Sequence, residues 1–289
     1  MEFSIIQAIQ GRDFGIAVGV AGWTALHSQA PVSPKGRLRQ SVTRGVFGPG
    51  VPFEDMCREA GRLGLKGFDL IPAGDWPTLN KYGLIPTMAP ASGVTIADGL
   101  NNRENHDAIE KSMRAALNEC AAGGCPNLIT FSGSRRGMPD SEGADHCVAL
   151  LNRVKAHAED KGVTICLELL NSKVDHKDTM CDHTVWIVDV CKRVNSPRVK
   201  MLYDIYHAQI MEGDVCRTIQ ENFQWIAHFH TGGVPGRHEI DDTQELNYRF
   251  IAKTIADLGF TGYIAHEYRP AAGHDPIGSL KQALGMMDV

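Results

Sequence analysis

The chain predicts a single (β/α)8 barrel, and three observations lead there. Short, near-continuously apolar runs alternate with helical patterns from Arg37 to the C-terminus. Eight such strand–helix pairs fit into about 250 residues, the usual size of that barrel. No Pro/Ser-rich linker and no fixed-period repeat interrupts them. Near-continuous apolar strands belong to parallel sheets covered on both faces. A doubly wound open sheet is the main rival. A Gly-x-Gly-x-x-Gly turn after a first strand would favour it, and none occurs there.

The elements follow in order. Residues 40–43 form a first strand. Residues 53–63 place apolar or small side chains at Phe53, Met56, Cys57, Ala60 and Leu63, which is helical spacing, and Gly64 ends the helix. Residues 66–71 are a second strand closed by Pro72. Residues 84–88 are a third, interrupted by a proline. A long helix over 105–122 stops at Gly123-Gly124. Residues 127–131 are a fourth strand, opening into a loop with Arg135 and Arg136. A helix over 142–161 ends at Gly162. Residues 163–168 are the fifth strand, 182–193 a helix and 199–203 the sixth strand. Residues 214–222 are helical, 225–230 the seventh strand, 247–258 a helix stopped by Gly259, and 262–267 the eighth strand. A last helix starts near Ile277.

Composition narrows the function. The chain has 289 residues with a formal net charge of −5, and its basic residues are scattered. This argues against a dedicated nucleic-acid binder. The eight cysteines form no Cys-x-x-Cys pair, so they read as reduced, structural thiols rather than a zinc knuckle or a disulfide framework. Residues 1–30 stand apart. An apolar run from Phe14 to Leu26 follows Arg12 and precedes Ser28-Gln29-Ala30 and Pro31, which is signal-peptide grammar. Gly11-Arg12-Asp13-Phe14 resembles a twin-arginine motif with Gly11 in place of the first arginine. Export to the periplasm is the expectation, with a cytoplasmic protein carrying a disordered N-terminal segment as the alternative. The barrel is assigned to residues 31–289. No segment is long and apolar enough to span a membrane.

The chemistry sits at the C-terminal ends of the strands, where barrel enzymes collect their active residues. The fifth strand ends in Glu168, the sixth in Asp204, the seventh in His230 and the eighth in Glu267. Read alone, Asp204 serves equally well as a cap for a turn or for a helix near Gly213. Four metal-capable residues at one end of neighbouring strands are hard to assign to chance. Three carboxylates and an imidazole make a hard, mostly oxygen site. Mg2+ or Mn2+ is the expected ion, with Co2+ or Zn2+ as alternatives. By period two, His228 shares a face with His230 one layer deeper, and His266 faces the helices as a structural residue. Asp69 reads as a substrate contact or a turn former before Pro72. Trp76 and Tyr82 read as loop aromatics that stack on a sugar or pack under the loop. Arg135 and Arg136 read as an anion site or as solvated charges.

Leu167-Glu168-Leu169-Leu170-Asn171, Tyr203-Asp204-Ile205-Tyr206-His207, Pro235-Gly236-Arg237-His238-Glu239 and His266-Glu267-Tyr268-Arg269-Pro270 resemble the hydroxypyruvate isomerase family. That family belongs to the xylose-isomerase-like TIM barrels, beside the ketose 3-epimerases. The resemblance implies that Glu168, Asp204, His230 and Glu267 bind one divalent metal. Glu168 and Glu267 would double as the acid/base pair, and His207 and Arg237 would hold the substrate. It departs at His230, where hydroxypyruvate isomerases tend to carry Gln and epimerases His, and at Thr231-Gly232-Gly233. The expected activity is isomerisation or epimerisation of a small sugar or hydroxy-carbonyl compound, by proton abstraction next to a carbonyl through an enediolate. The alternatives are an endonuclease IV-like metal-dependent phosphodiesterase and a non-catalytic sugar-binding barrel. A surface pairing of Arg237 with Glu239 or Asp241 competes with its substrate role, and homo-oligomerisation is left open.

Overall fold

The computed structural model describes residues 36–289, so the expected leader over residues 1–30 lies outside the described residues. Eight parallel strands run in the order β3-β2-β1-β8-β7-β6-β5-β4. They are β1 (Arg39–Val42), β2 (Gly67–Asp69), β3 (Ile85–Met88), β4 (Asn127–Thr130), β5 (Thr164–Glu168), β6 (Val199–Asp204), β7 (Ile226–Thr231) and β8 (Tyr263–His266). The two open edges meet through a parallel bridge between Ala89 and Leu128. There the Ala89 amide donates to Asn127 O at 2.8 Å. The eight strands thus form a nearly closed barrel, as the strand–helix alternation predicts.

Helices α1 (Phe53–Arg62), α2 (Trp76–Lys81), α3 (His106–Gly123), α4 (Asp140–Lys161), α5 (Thr184–Val194), α6 (Ile205–Met211), α7 (Val215–Asn222), α8 (Tyr248–Asp257) and α9 (Pro276–Met287) cover the outside. The α3 and α4 helices end at Gly124 (φ 73°) and Gly162 (φ 69°), left-handed positions that glycine adopts without steric cost. No helix among the described residues is long and apolar enough to cross a membrane.

Two apolar layers result from strand alternation. One lies between sheet and helices and contains most of the buried residues. The other fills the barrel interior with Met88, Ile129, Cys166 and Leu202. Glu168 and Asp204 stand two residues beyond Cys166 and Leu202, on the same face and one layer higher. All eight cysteines are free, and seven are buried.

Two helices escape the sequence pattern. The α6 helix begins one residue after β6, so His207 is a helical residue rather than a loop histidine. Its start is hidden because strand and helix are both apolar and no Gly or Pro separates them. The α2 helix starts at Trp76, whose indole N–H donates to Ile71 O at 2.8 Å and which is only 5% exposed. A Cβ on Gly123 would meet its ring at 2.2 Å. Trp76 is therefore packed under α3, and Tyr82 points to Glu54 at 3.1 Å; neither lines the cavity at the strand ends.

His266 is structural, as alternation predicts. Gln40 donates its amide to Leu284 O, leaving its Oε1 to accept from His266 Nε2–H at 3.0 Å. The Thr231 hydroxyl then donates to Nδ1 at 3.0 Å. The neutral ring is satisfied at both nitrogens. Burial lowers its pKa from 6.5 to about 4. The unfolded chain therefore takes up the proton first. The stabilisation is complete above the unfolded pKa and is lost as pH falls from 6.5 towards 4. Between about pH 7.5 and about pH 5 the loss amounts to about 2 kcal/mol. Urea unfolding at both pH values should show it, and His266→Gln should shrink the difference by about that amount.

Candidate metal centre

The site is built at one end of the barrel from strand ends that are far apart in sequence. Glu168, Asp204, His230 and Glu267 each present a ligand atom, and all four atoms lie within 4.8 Å of one another. Glu168 is 5% exposed, and Asp204 and His230 are fully buried. His230 Nδ1 lies 2.6 Å from Glu267 Oε2, 3.4 Å from Glu168 Oε1 and 3.9 Å from Asp204 Oδ2. None of these oxygens is aligned for a hydrogen bond to it. A buried ring nitrogen left without a hydrogen bond among three carboxylates suits a cation ligand. This donor set fits a divalent metal.

Asp204 serves both roles that its position allows. Its Oδ1 caps α6, accepting from the Tyr206 amide at 2.9 Å and the His207 amide at 3.2 Å. Its Oδ2 faces the other ligands. The helix N-terminus thereby fixes the carboxylate's orientation.

Asp69 does what the sequence left unassigned. His230 Nε2 lies 3.0 Å from its Oδ2 and His228 Nε2 2.7 Å from the same oxygen. Ser41 and Thr87 donate to its Oδ1. Asp69 therefore accepts a hydrogen bond from His230 Nε2–H and leaves Nδ1 to face the three carboxylates, the usual arrangement behind a metal-ligating histidine. Burial alone would raise the Asp69 pKa, but His228 and His230 outweigh it and hold the group ionised.

Charge separates the other groups. Burial, with the negative charges of Glu267 and Asp204, lifts Glu168 to about 7. Burial also works to raise Glu267, but His230 and Arg237 prevail and hold it well below the usual carboxylate range. His230 is pulled well above its ordinary value, against burial, by Glu267, Asp69 and Glu168.

His207 and Arg237 lie against this centre. Asn171 Oδ1 accepts from the Val174 and Asp175 amides, and its Nδ2 donates to Asp175 at 2.6 Å and to His207 Nδ1 at 2.7 Å. Burial lowers the His207 pKa to about 4, so the ring is neutral. Arg237 Nη1 lies 2.9 Å from His207 Nε2, and Nη2 donates to Asp204 Oδ2 and Glu267 Oε2, each at 2.7 Å. It does not pair with Glu239 or Asp241. Glu239 instead accepts from the Ala271 amide and lies 3.1 Å from His274 Nδ1.

Above the centre opens a cavity of about 750 Å3, lined among others by Asp69, His176, Tyr206, Arg237, Glu267 and Arg269. Arg135 is held by Asp140 and Asp182, and Arg136 by Asp98, so their charges are spent on loop structure. Sequence reasoning missed the roles of Asp69 and Asn171. An inward acid at the end of β2 and an Asn three residues beyond Glu168 were the available signals.

A family model described as Xylose isomerase-like TIM barrel matches residues 76–288. A 2-oxo-tetronate isomerase of Haemophilus influenzae is 28% identical over 238 residues, covering 76% of this chain and 89% of the relative. A 2-oxo-tetronate isomerase of Cupriavidus necator is 37% identical over 129 residues, 44% of this chain and 49% of that relative. The second alignment thus spans about half of its relative's length. The crystal structure of an E. coli 3-keto-D-glucoside 4-epimerase superposes with a TM-score of 0.73 at 18% identity, covering 86% of this chain and 98% of the other. That likeness is one of fold. With its barrel, its strand-end ligand group and a family match over most of its length, this chain belongs to the xylose isomerase-like TIM barrel family.

Proposed function

We propose that this protein is a divalent-metal-dependent isomerase or epimerase of small hydroxy-carbonyl compounds, sugars or sugar acids, acting by proton abstraction next to a carbonyl. The observation that carries the reading is the four-ligand group itself, which brings the carboxylates of Glu168 and Glu267 to one centre within 4.8 Å. Two carboxylates at one centre can take a proton on one and return it from the other.

Glu168, Asp204, His230 and Glu267 would hold the ion, with Mg2+ or Mn2+ preferred for this oxygen-rich set and Co2+ or Zn2+ as alternatives. When bound there, the metal supplies Lewis-acid polarisation of the carbonyl and offsets the charge of the enediolate. The ionised Glu267 takes the carbon-bound proton. Glu168 returns one to the same carbon, which epimerises it, or to its neighbour, which moves the carbonyl. Asp69 keeps His230 in the ligating tautomer. His207 and Arg237 orient the substrate, and Arg237's planar fork suits a carboxylate or paired oxygens. The similarity to 2-oxo-tetronate isomerases favours a short hydroxy-oxo acid.

Incubating the Mn2+-loaded protein in D2O with hydroxypyruvate, a 2-oxo-tetronate and ketohexoses tests this by NMR. Deuterium should enter the carbon beside the carbonyl in at least one of them. No exchange in any, together with cleavage of abasic-site DNA, would favour the phosphodiesterase alternative.

A further inference from the structure

Resting on the metal assignment above, we infer that the Arg237 guanidinium and the divalent ion exchange at this centre: loading the metal releases Arg237 into the cavity, where it takes the substrate's anionic group. Arg237 Nη2 lies 2.7 Å from both Asp204 Oδ2 and Glu267 Oε2, oxygens that belong to the ligand group. One nitrogen seated between the two holds the ground a metal would take between them. Two cations cannot share it, because like charges at contact distance repel.

The seat of Arg237 is also imperfect. The orientation of Asn171 makes His207 Nδ1 an acceptor, so the neutral ring carries its proton on Nε2. Arg237 Nη1 meets that nitrogen at 2.9 Å, which sets one N–H against another. Only the tip needs to move. Arg237 Nε is tied to Glu267 O at 3.0 Å, and its Cζ lies 5.1 Å from the Tyr206 ring centroid, on the wall of the 750 Å3 cavity. Its departure also clears His207 Nε2–H to donate to a substrate oxygen. Metal would then bind before an acidic substrate, and each would strengthen the other's binding.

Titration calorimetry of Mn2+ on the full chain tests the exchange through the sign of one effect. Arg237→Gln should bind Mn2+ about tenfold more tightly than the wild type, within the usual range of coupling between competing ligands. Arg269→Gln removes the same charge from the same cavity but from a residue without an ion pair to either carboxylate, and should change the affinity far less. Weaker or unchanged binding by Arg237→Gln would overturn the exchange, as would an equal gain in Arg269→Gln. Failure of every protein to bind Mn2+ would overturn the metal assignment itself. A second measurement needs no variant: saturating Mn2+ should accelerate phenylglyoxal modification of Arg237 in the wild type, read by peptide mapping. Unchanged or slower modification counts against release.

Discussion

Glu267→Gln is expected to lower carbon–proton exchange by about 10³-fold or more, the scale on which positioned general bases act. The substitution keeps the side chain's size and one carbonyl oxygen but removes the charge that takes the proton. Two consequences separate this from a folding defect. Bound metal, measured by elemental analysis after dialysis against Mn2+, should be largely retained, because Glu168, Asp204 and His230 remain. The thermal midpoint of the metal-loaded variant should stay close to the wild type, since Glu267 is partly exposed at 24%. Unchanged exchange would sink the role given to Glu267.

Asp69→Asn should act on the metal and on stability together. The amide presents a donor or an uncharged oxygen to His228 and His230, both fully buried. His230 then loses the partner that turns its Nδ1 towards the carboxylates. Metal affinity should fall by about 10- to 100-fold, the usual effect of removing a histidine's carboxylate partner. Breaking a fully buried charge arrangement should cost the metal-free protein roughly 3–5 kcal/mol. Calorimetric Mn2+ titration reads the first effect and urea unfolding the second. An Asp69→Asn protein with unchanged Mn2+ affinity would show that His230 does not need Asp69 for orientation.

The two substitutions probe different distances from the chemistry. Glu267 touches the reacting atoms in the proposed mechanism, so its loss appears in turnover. Asp69 acts through His230, so its loss appears first in metal occupancy. Restoring activity to Asp69→Asn with excess Mn2+, but not to Glu267→Gln, would separate positioning from proton transfer.

What the sequence determined by itself is the set of strands and the residues at their ends. Apolar runs and period-two alternation are local properties. They suffice to place Glu168, Asp204, His230 and Glu267 at one rim, and His228 a layer below His230. Tertiary structure decided the partnerships. Asp69 meets His230 across 161 positions of sequence, and nothing in either segment announces the pairing before the barrel closes. The α6 helix follows β6 without a break, so only the folded chain shows Asp204 capping a helix with one oxygen while offering the other to the centre. Trp76 and Tyr82 carry sugar-stacking chemistry in their composition, yet packing under α3 and a contact with Glu54 remove them from the cavity. Arg237 is the clearest case. Its motif marks a substrate residue, whereas the fold sets its guanidinium on two ligand oxygens, because three carboxylates brought to one rim attract the nearest cation.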